Sequence, residues 1–127
     1  MASLLLVTGP PGAGKSMVAR VLVERFERSV LLEGDTFFAF VAATGLRWLH
    51  YVVLLPSLER CVARVTTREG HGFTDEAATR QMHQQFARAN IDHRHLLFDP
   101  PDQVEATAER VLEAVTRGSL MYRSPSS

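Results

Sequence analysis

The sequence has little of what marks several common classes of protein. It has one cysteine, Cys61, which excludes an internal disulfide. Basic and acidic residues balance at 14 each, which argues against a nucleic-acid partner because such proteins carry excess basic charge. No apolar run approaches the roughly 20 residues that span a bilayer, and the start lacks a secretory signal. We therefore expect a cytoplasmic protein with neither a nucleic-acid nor a membrane partner.

Lysine is also almost absent, because Lys15 is the only lysine among the 14 basic residues and the others are arginine. Such a bias usually reflects genome composition. A position that keeps lysine is one where a compact ammonium suits the chemistry better than a planar guanidinium.

Short apolar runs alternate with segments of helical periodicity along the 127 residues. The predicted strands are Leu4–Val7, Val30–Leu32, His50–Leu55 and His95–Phe98. The predicted helices are Lys15–Arg28, Thr36–Leu46, one capped by Ser57 that runs to about Arg68, one capped by Thr74, and one from the capping box Asp102–Glu105 to Gly118. This alternation predicts an α/β fold around a parallel sheet, with one domain at residues 1–118 and a flexible tail at 119–127.

Apolar residues at helical spacing predict which helix faces are buried. The predicted inner faces are Val18, Leu22 and Phe26 in the first helix, and Ala78, Met82 and Phe86 in the helix after Thr74. Cys61 is expected to be buried in its helix, and His93 and His95 are expected to be structural residues along the last strand.

The segment between the first strand and the first helix matches the phosphate-binding pattern G-x-x-x-x-G-K-[ST] at every fixed position. Glycines let the backbone wrap closely around a phosphate, and the following helix adds the positive end of its dipole. Lys15 would reach the β- and γ-phosphates, and the Ser16 hydroxyl would hold Mg²⁺. The alternative is a glycine-rich turn that matches by chance. The predicted nucleotide-binding residues here are Gly9, Pro10, Pro11, Gly12, Ala13, Gly14, Lys15, Ser16 and Met17.

The run GPPGAGKS, with Glu33-Gly34-Asp35 after the second strand, resembles the small P-loop kinases, a group that includes shikimate and gluconate kinases. The later stretch LHYVVLLPSLERCVARVTTREGHGFTDEAATRQMHQQF resembles the ATPase-like kinases related to chloramphenicol phosphotransferase. The resemblance implies a three-layer P-loop NTPase domain, the cofactors ATP and Mg²⁺, and a small hydroxylated acceptor that the sequence does not identify.

The same resemblance assigns roles to residues outside the glycine-rich segment. Asp35 would accept the proton of the acceptor hydroxyl and help to hold Mg²⁺, although capping the helix at Thr36 is an alternative role. Arg60, Arg64 and Arg68 lie four residues apart and would belong to a lid. Arg60 would contact the nucleotide, while Arg64 and Arg68 would act in catalysis; the alternative is a solvated basic stripe.

Two further expectations follow from the resemblance. Pro101 lies in the loop that would touch the adenine. Only residues 36–49 separate Asp35 from His50, whereas the related kinases have another strand, a helix and an acceptor-binding segment there.

Without that additional strand, helix and segment, we expect the second strand to pair directly with the first. The sheet would then have about four strands in the order 2-1-4-5 of the family's numbering. It would also uncover the apolar segment Phe37–Val41 and favour self-association, which a monomer at high concentration would contradict.

The sequence thus favours a kinase that moves the γ-phosphoryl group of a nucleoside triphosphate to a hydroxyl. The alternatives are a nucleotide-binding module without transfer activity and a slow ATPase in which water replaces the acceptor.

Overall fold

The computed structural model describes residues 4–26, 49–67 and 75–122. Strands alternate with helices through these residues, except that two helices lie between the second and third strands. The strands are β1 (Leu4–Thr8), β2 (Leu49–Leu55) and β3 (Leu96–Phe98), and the helices are α1 (Lys15–Arg25), α2 (Leu58–Thr67), α3 (Glu76–Arg88) and α4 (Val104–Arg117). The prediction of an α/β fold is confirmed.

The described strands form one parallel sheet in the order β1-β2-β3. Thr8 at the end of β1 is level with Val53, and Leu55 at the end of β2 is level with Phe98. The carboxyl ends of all three strands therefore lie at one edge of the sheet, where ligands bind in open α/β folds. The predicted strand Val30–Leu32 and helix Thr36–Leu46 lie outside the described residues.

The core is built on β2, whose residues from Val52 to Leu55 are at most 4% exposed. Val52 and Leu54 belong to a buried cluster with residues of α1 and α4. Successive side chains of a strand point to opposite faces, so Val53 and Leu55 face the other side of the sheet. Burial on both faces explains why β2 reads as a continuous apolar run, which is typical of parallel strands.

Several predicted boundaries are close to the observed ones. β2 begins one residue before the predicted strand. Arg60 N donates to Ser57 Oγ at 3.3 Å, which confirms Ser57 as the cap of α2. Gly118 ends α4 in the left-handed conformation, with φ of 74°. The first helix ends at Arg25, and Phe26 is 38% exposed, so Phe26 does not extend the buried stripe of Val18 and Leu22.

The N-cap of α3 is one residue later than predicted, and the predicted inner face holds for half-buried Ala78 and Phe86 but not for Met82. Asp75 is the N-cap, and its carboxylate accepts from Ala78 N at 3.0 Å. Met82 is 40% exposed, whereas Thr79 is fully buried. The buried Thr79 hydroxyl donates to Asp75 O at 2.8 Å. A polar residue with a partner in its own helix can thus occupy the inner face, which apolar spacing alone does not anticipate.

The predicted capping box at Asp102 and Glu105 is also wrong. Gln103 is the N-cap of α4 and makes no side-chain capping bond. The Asp102 carboxylate instead forms an ion pair with Arg60, 2.5 Å away. A charged partner from another helix has replaced the local backbone donor that the pattern predicts.

Residues 119–122 pack against the domain instead of forming part of a loose tail. Leu120 is 2% exposed and belongs to the core cluster. Its carbonyl accepts from Tyr51 N at 2.9 Å, and Tyr122 N donates to Leu49 O at 2.7 Å. The chain after α4 thus lines up beside β2, and residues 123–127 lie outside the described residues.

His95 lies in a 3₁₀ turn, His93–His95, just before β3, and not in the predicted strand. It is 1% exposed, and its ring stacks on Tyr51 with centroids 3.7 Å apart. Its Nδ1 lies 3.0 Å from Tyr51 O and must carry the proton, because a carbonyl only accepts. Burial lowers the pKa of His95 below its ordinary value, although the bond to Tyr51 acts in the opposite direction.

None of the helices in residues 4–26, 49–67 and 75–122 combines the length and apolar character needed to cross a membrane.

The burial of His95 predicts that the protein loses stability in mild acid. Below a pH of about 6.5 the unfolded chain takes up a proton that the folded chain binds only at lower pH, so the free energy of unfolding should fall. His95→Phe should reduce this loss, while costing about 1 kcal/mol at pH 7.5 because Tyr51 O loses its partner. Urea unfolding between pH 7.5 and 5.5 measures both effects.

His93→Gln, at an exposed position in the same turn, is the control and should show the parent dependence of the free energy of unfolding on pH. If His95→Phe also shows the parent dependence, burial of His95 is not the cause of the loss in acid.

Candidate functional site

A loop at residues Gly9–Gly14, called the glycine loop below, joins the end of β1 to the start of α1. Gly12 and Gly14 have φ of 80° and 88°, in the left-handed region that glycine adopts at little cost. Ala13 N donates to Pro10 O at 3.1 Å and closes a turn inside the loop. The loop therefore curls at the sheet edge where the strands end.

Two neighbouring segments pack directly against the glycine loop. A Cβ atom on Gly9 would overlap the carbonyl oxygen of Leu54 at the end of β2. A Cβ atom on Gly12 would overlap the carbonyl oxygen of Cys61 in α2 and lie 2.9 Å from its Cα. These glycines thus have a packing role, because no side chain fits between the loop and the backbone beside it.

The amino end of α1 is suited to an anion. Its N-cap is Gly14, which makes no side-chain capping bond, and the first turn contains no acidic residue. The N–H groups of a first helical turn have no partner within the helix, and the helix dipole makes this end positive. Ser16 and Met17, in this turn, are exposed to solvent. An anion beside the loop would meet backbone donors without displacing a carboxylate of the helix.

Lys15 turns back over the start of the glycine loop. Its ammonium donates to Gly9 O at 2.8 Å and to Pro10 O at 3.3 Å. The positive charge of Lys15 is therefore held beside Gly9 and Pro10 at the start of the glycine loop.

Arg64 connects α2 to the same loop. Its Nη1 donates to Gly12 O at 3.1 Å and would lie 3.4 Å from a Cβ on Gly14. Among the described residues, this is the hydrogen bond that its guanidinium makes. Arg64 is thus placed beside the amino end of α1 with N–H groups to spare.

The Cys61 thiol is buried close to the positive side chains at this edge of the sheet. Its side chain is fully buried, as predicted, and burial raises the pKa of the thiol above its ordinary value. The charges of Arg64, Arg60 and Lys15 act in the opposite direction. The thiol is a packing group, and its surroundings show that three positive side chains converge at this edge of the sheet.

Arg60 reaches the loop between β3 and α4, called the Asp99–Asp102 loop below. Its Nη1 donates to Asp99 Oδ1 and to Pro100 O, each at 2.8 Å. Pro101, in the same loop, accepts a hydrogen bond from Thr107 Oγ1 at 3.1 Å. Both acidic partners of Arg60 were missed from the sequence, where Asp102 looks like a helix cap and Asp99 like an ordinary loop residue.

The structure brings together most of the predicted site residues that it describes. The glycine loop, Lys15, Ser16 and Arg64 lie at one edge, with Arg60 and Pro101 beside them. The catalytic candidates Asp35 and Arg68 lie outside the described residues. Within residues 4–26, 49–67 and 75–122, no three His, Cys, Asp or Glu side chains are grouped to hold a metal ion.

The chain matches no protein-family model, and no curated protein matches it. The resemblance to small kinases therefore rests only on the glycine-rich run, on Glu33-Gly34-Asp35 and on the later sequence stretch.

The contact between Gly12 and Cys61 predicts a large cost for a methyl group in the glycine loop. Gly12→Ala combines a left-handed backbone with the overlap, and we expect it to lower the free energy of unfolding by about 2–4 kcal/mol. Gly118→Ala is the matched control, because its φ is 74° and nothing lies within 4 Å of its Cβ. It should cost about 1–2 kcal/mol. Equal losses in urea unfolding would show that α2 does not press against the loop.

Proposed function

We propose that the glycine loop is a P-loop that binds a nucleoside triphosphate with Mg²⁺, and that the chain transfers the γ-phosphoryl group to a small hydroxylated acceptor. The observation that carries the proposal is the placement of Lys15 over a curled glycine loop at the uncapped amino end of α1. This placement supports the nucleotide site, whereas the transfer step and the roles of Asp35 and Arg68 rest on the resemblance to small kinases.

The described residues supply the groups that a triphosphate needs. The first-turn N–H groups of α1 would bind phosphate oxygens, and Lys15 would exchange its carbonyl partners for the β- and γ-phosphates. Arg64, already bonded to Gly12 O, would reach the same oxygens with its remaining N–H groups. Such fixed positive groups stabilise the charge that develops during phosphoryl transfer.

The Ser16 hydroxyl, exposed in the first turn of α1, fits a magnesium ligand. Mg²⁺ prefers oxygen ligands, and Asp35 would supply the carboxylate. The ion would neutralise charge on the β- and γ-phosphates. The argument for Asp35 rests on sequence, because this residue lies outside those that the structure describes.

The transfer itself is a displacement at phosphorus. The oxygen of the acceptor hydroxyl forms a bond to the γ-phosphorus, the bond between this phosphorus and the β–γ bridging oxygen breaks, and the hydroxyl proton passes to Asp35. Arg64 and Arg68 would stabilise the transferring group. The products are the nucleoside diphosphate and the phosphorylated acceptor.

The proposal includes the finer details of the fold. The three described strands, in the order β1-β2-β3, would be strands 1, 4 and 5 of the order 2-1-4-5. Val30–Leu32 would add the fourth strand beside β1. Such a strand would bring Asp35 to the edge that holds the glycine loop.

A second candidate is a nucleotide-binding module without transfer activity. The short span of residues 36–49 favours it, because most contacts to an acceptor would come from a longer segment there. A slow ATPase is a variant of this candidate.

Lys15→Ala tests the nucleotide site. We expect the affinity for Mg·ATP, measured by isothermal titration calorimetry, to fall at least about tenfold, because a charge-assisted bond to phosphate is lost. Arg20→Ala removes a cation from an exposed position on the same helix and should leave the affinity unchanged. Equal affinities for Lys15→Ala and the parent chain would show that Lys15 does not contribute to nucleotide binding.

Incubation with Mg·ATP and a panel of hydroxylated acceptors tests the transfer. We expect a phosphorylated acceptor and an equal amount of ADP from the parent chain, and neither from Lys15→Ala. ADP without a phosphorylated acceptor would support the slow ATPase. Bound ATP that stays intact across the panel would support the module without transfer activity.

A further inference from the structure

Two arginines of α2 bond to two different loops. Arg64 donates to Gly12 O of the glycine loop, and Arg60 donates to Asp99 and Pro100 of the Asp99–Asp102 loop. Four helical residues rise about 6 Å, so the two attachments lie about one turn apart along the helix. One rigid element therefore fixes the separation of the two loops.

The end of β2 reinforces this arrangement. Gly9 packs against the carbonyl group of Leu54, and Asp99 N donates to Leu55 O at 3.0 Å. Consecutive residues of one buried strand thus hold the glycine loop on one side and the Asp99–Asp102 loop on the other. The two loops form adjacent walls at the carboxyl edge of the sheet.

Arg60 contacts the Asp99–Asp102 loop at both of its acidic residues. Asp99 has φ of 43°, a left-handed conformation that is uncommon outside glycine but that aspartate adopts more often than most residues. Its side chain is 73% exposed, whereas that of Arg60 is 25% exposed. Arg60 also pairs with Asp102 at 2.5 Å. The partly buried arginine therefore fastens the loop at both ends.

We propose that Arg60 is a positioning residue for the nucleoside half of the bound nucleotide. The inference rests on the proposed function, which places the triphosphate at the glycine loop. The nucleoside must then extend along the same edge, and the next wall there is the Asp99–Asp102 loop. Half-buried Pro101 gives this wall apolar surface for a base, while Pro100 is buried. Arg60 acts by holding the wall in place and not by contacting phosphate, because its guanidinium donates to Asp99 and Pro100 and forms an ion pair with Asp102.

The test compares two ligands that share the phosphate chain. Mg·ATP and Mg·tripolyphosphate are titrated into the parent chain, Arg60→Met, Arg60→Lys and Arg64→Met. Arg60→Met should weaken ATP binding about tenfold and leave tripolyphosphate binding within about twofold, because the lost bonds hold only the nucleoside wall. Arg60→Lys should recover part of the ATP affinity, since lysine keeps the charge but not the forked geometry. Arg64→Met should weaken both ligands alike.

Arg80→Met is the matched control, because Arg80 lies on α3 and pairs with Glu76 on the exposed face of the same helix. It should bind both ligands as the parent chain does. Hydrogen exchange without ligand adds a direct measure: Arg60→Met should exchange faster at the backbone N–H groups of Asp99 and Asp102, and at the parent rate in the glycine loop.

The outcomes separate this inference from the proposed function. A parent chain that binds neither ligand overturns the proposed function and the role of Arg60 with it. A parent chain that binds both, with equal losses for ATP and tripolyphosphate in Arg60→Met, makes Arg60 a phosphate ligand and overturns the inference. Unchanged affinities and unchanged exchange in Arg60→Met would show that the Arg60 contacts are only a surface ion pair, and would overturn the inference.

Discussion

The close approach of the glycine loop to α2 is the constraint on which the site depends. Gly12 lies directly against the backbone of Cys61, so the loop and the helix cannot move apart without opening a gap in the packing. This contact brings Arg64 within reach of Gly12 O and places its charge beside the amino end of α1. Since Gly9 packs in the same way on Leu54, the loop has its curvature imposed from two sides. Its shape is therefore set before any ligand arrives.

The buried strand β2 contacts both loops and fixes their positions. Its last residues are at most 4% exposed, and they are held by α1 and α4 on one face of the sheet. The backbone carbonyls of Leu54 and Leu55 meet the glycine loop and the Asp99–Asp102 loop in turn. A site placed at the end of such a strand inherits the rigidity of the core, which a site on free loops would lack. Flexible side chains then need only small adjustments to reach a ligand.

Sequence periodicity was sufficient for the elements that pack through apolar surface. β2, the stripe of Val18 and Leu22, and the end of α4 at Gly118 were all predicted, because burial and glycine conformation leave a local signal. Contacts between polar groups that lie far apart in the sequence leave no such local signal. The partners of Arg60 lie about forty residues away, so Asp102 read as a helix cap. Leu120 was assigned to a polar tail, since the apolar run Leu120–Tyr122 is too short to give a periodic pattern.

The distribution of charge explains why the two arginines of α2 play different parts. Arg60 faces two carboxylates, which more than offset its single positive charge within the described residues, so its contribution is geometric. Arg64 faces a carbonyl oxygen there, which offsets a guanidinium only in part. An anion beside the amino end of α1 would offset the remaining charge of Arg64 and would also be attracted by the positive end of the helix dipole. Under the proposed function, α2 would hold the Asp99–Asp102 loop through Arg60 and would offer Arg64 to the phosphates.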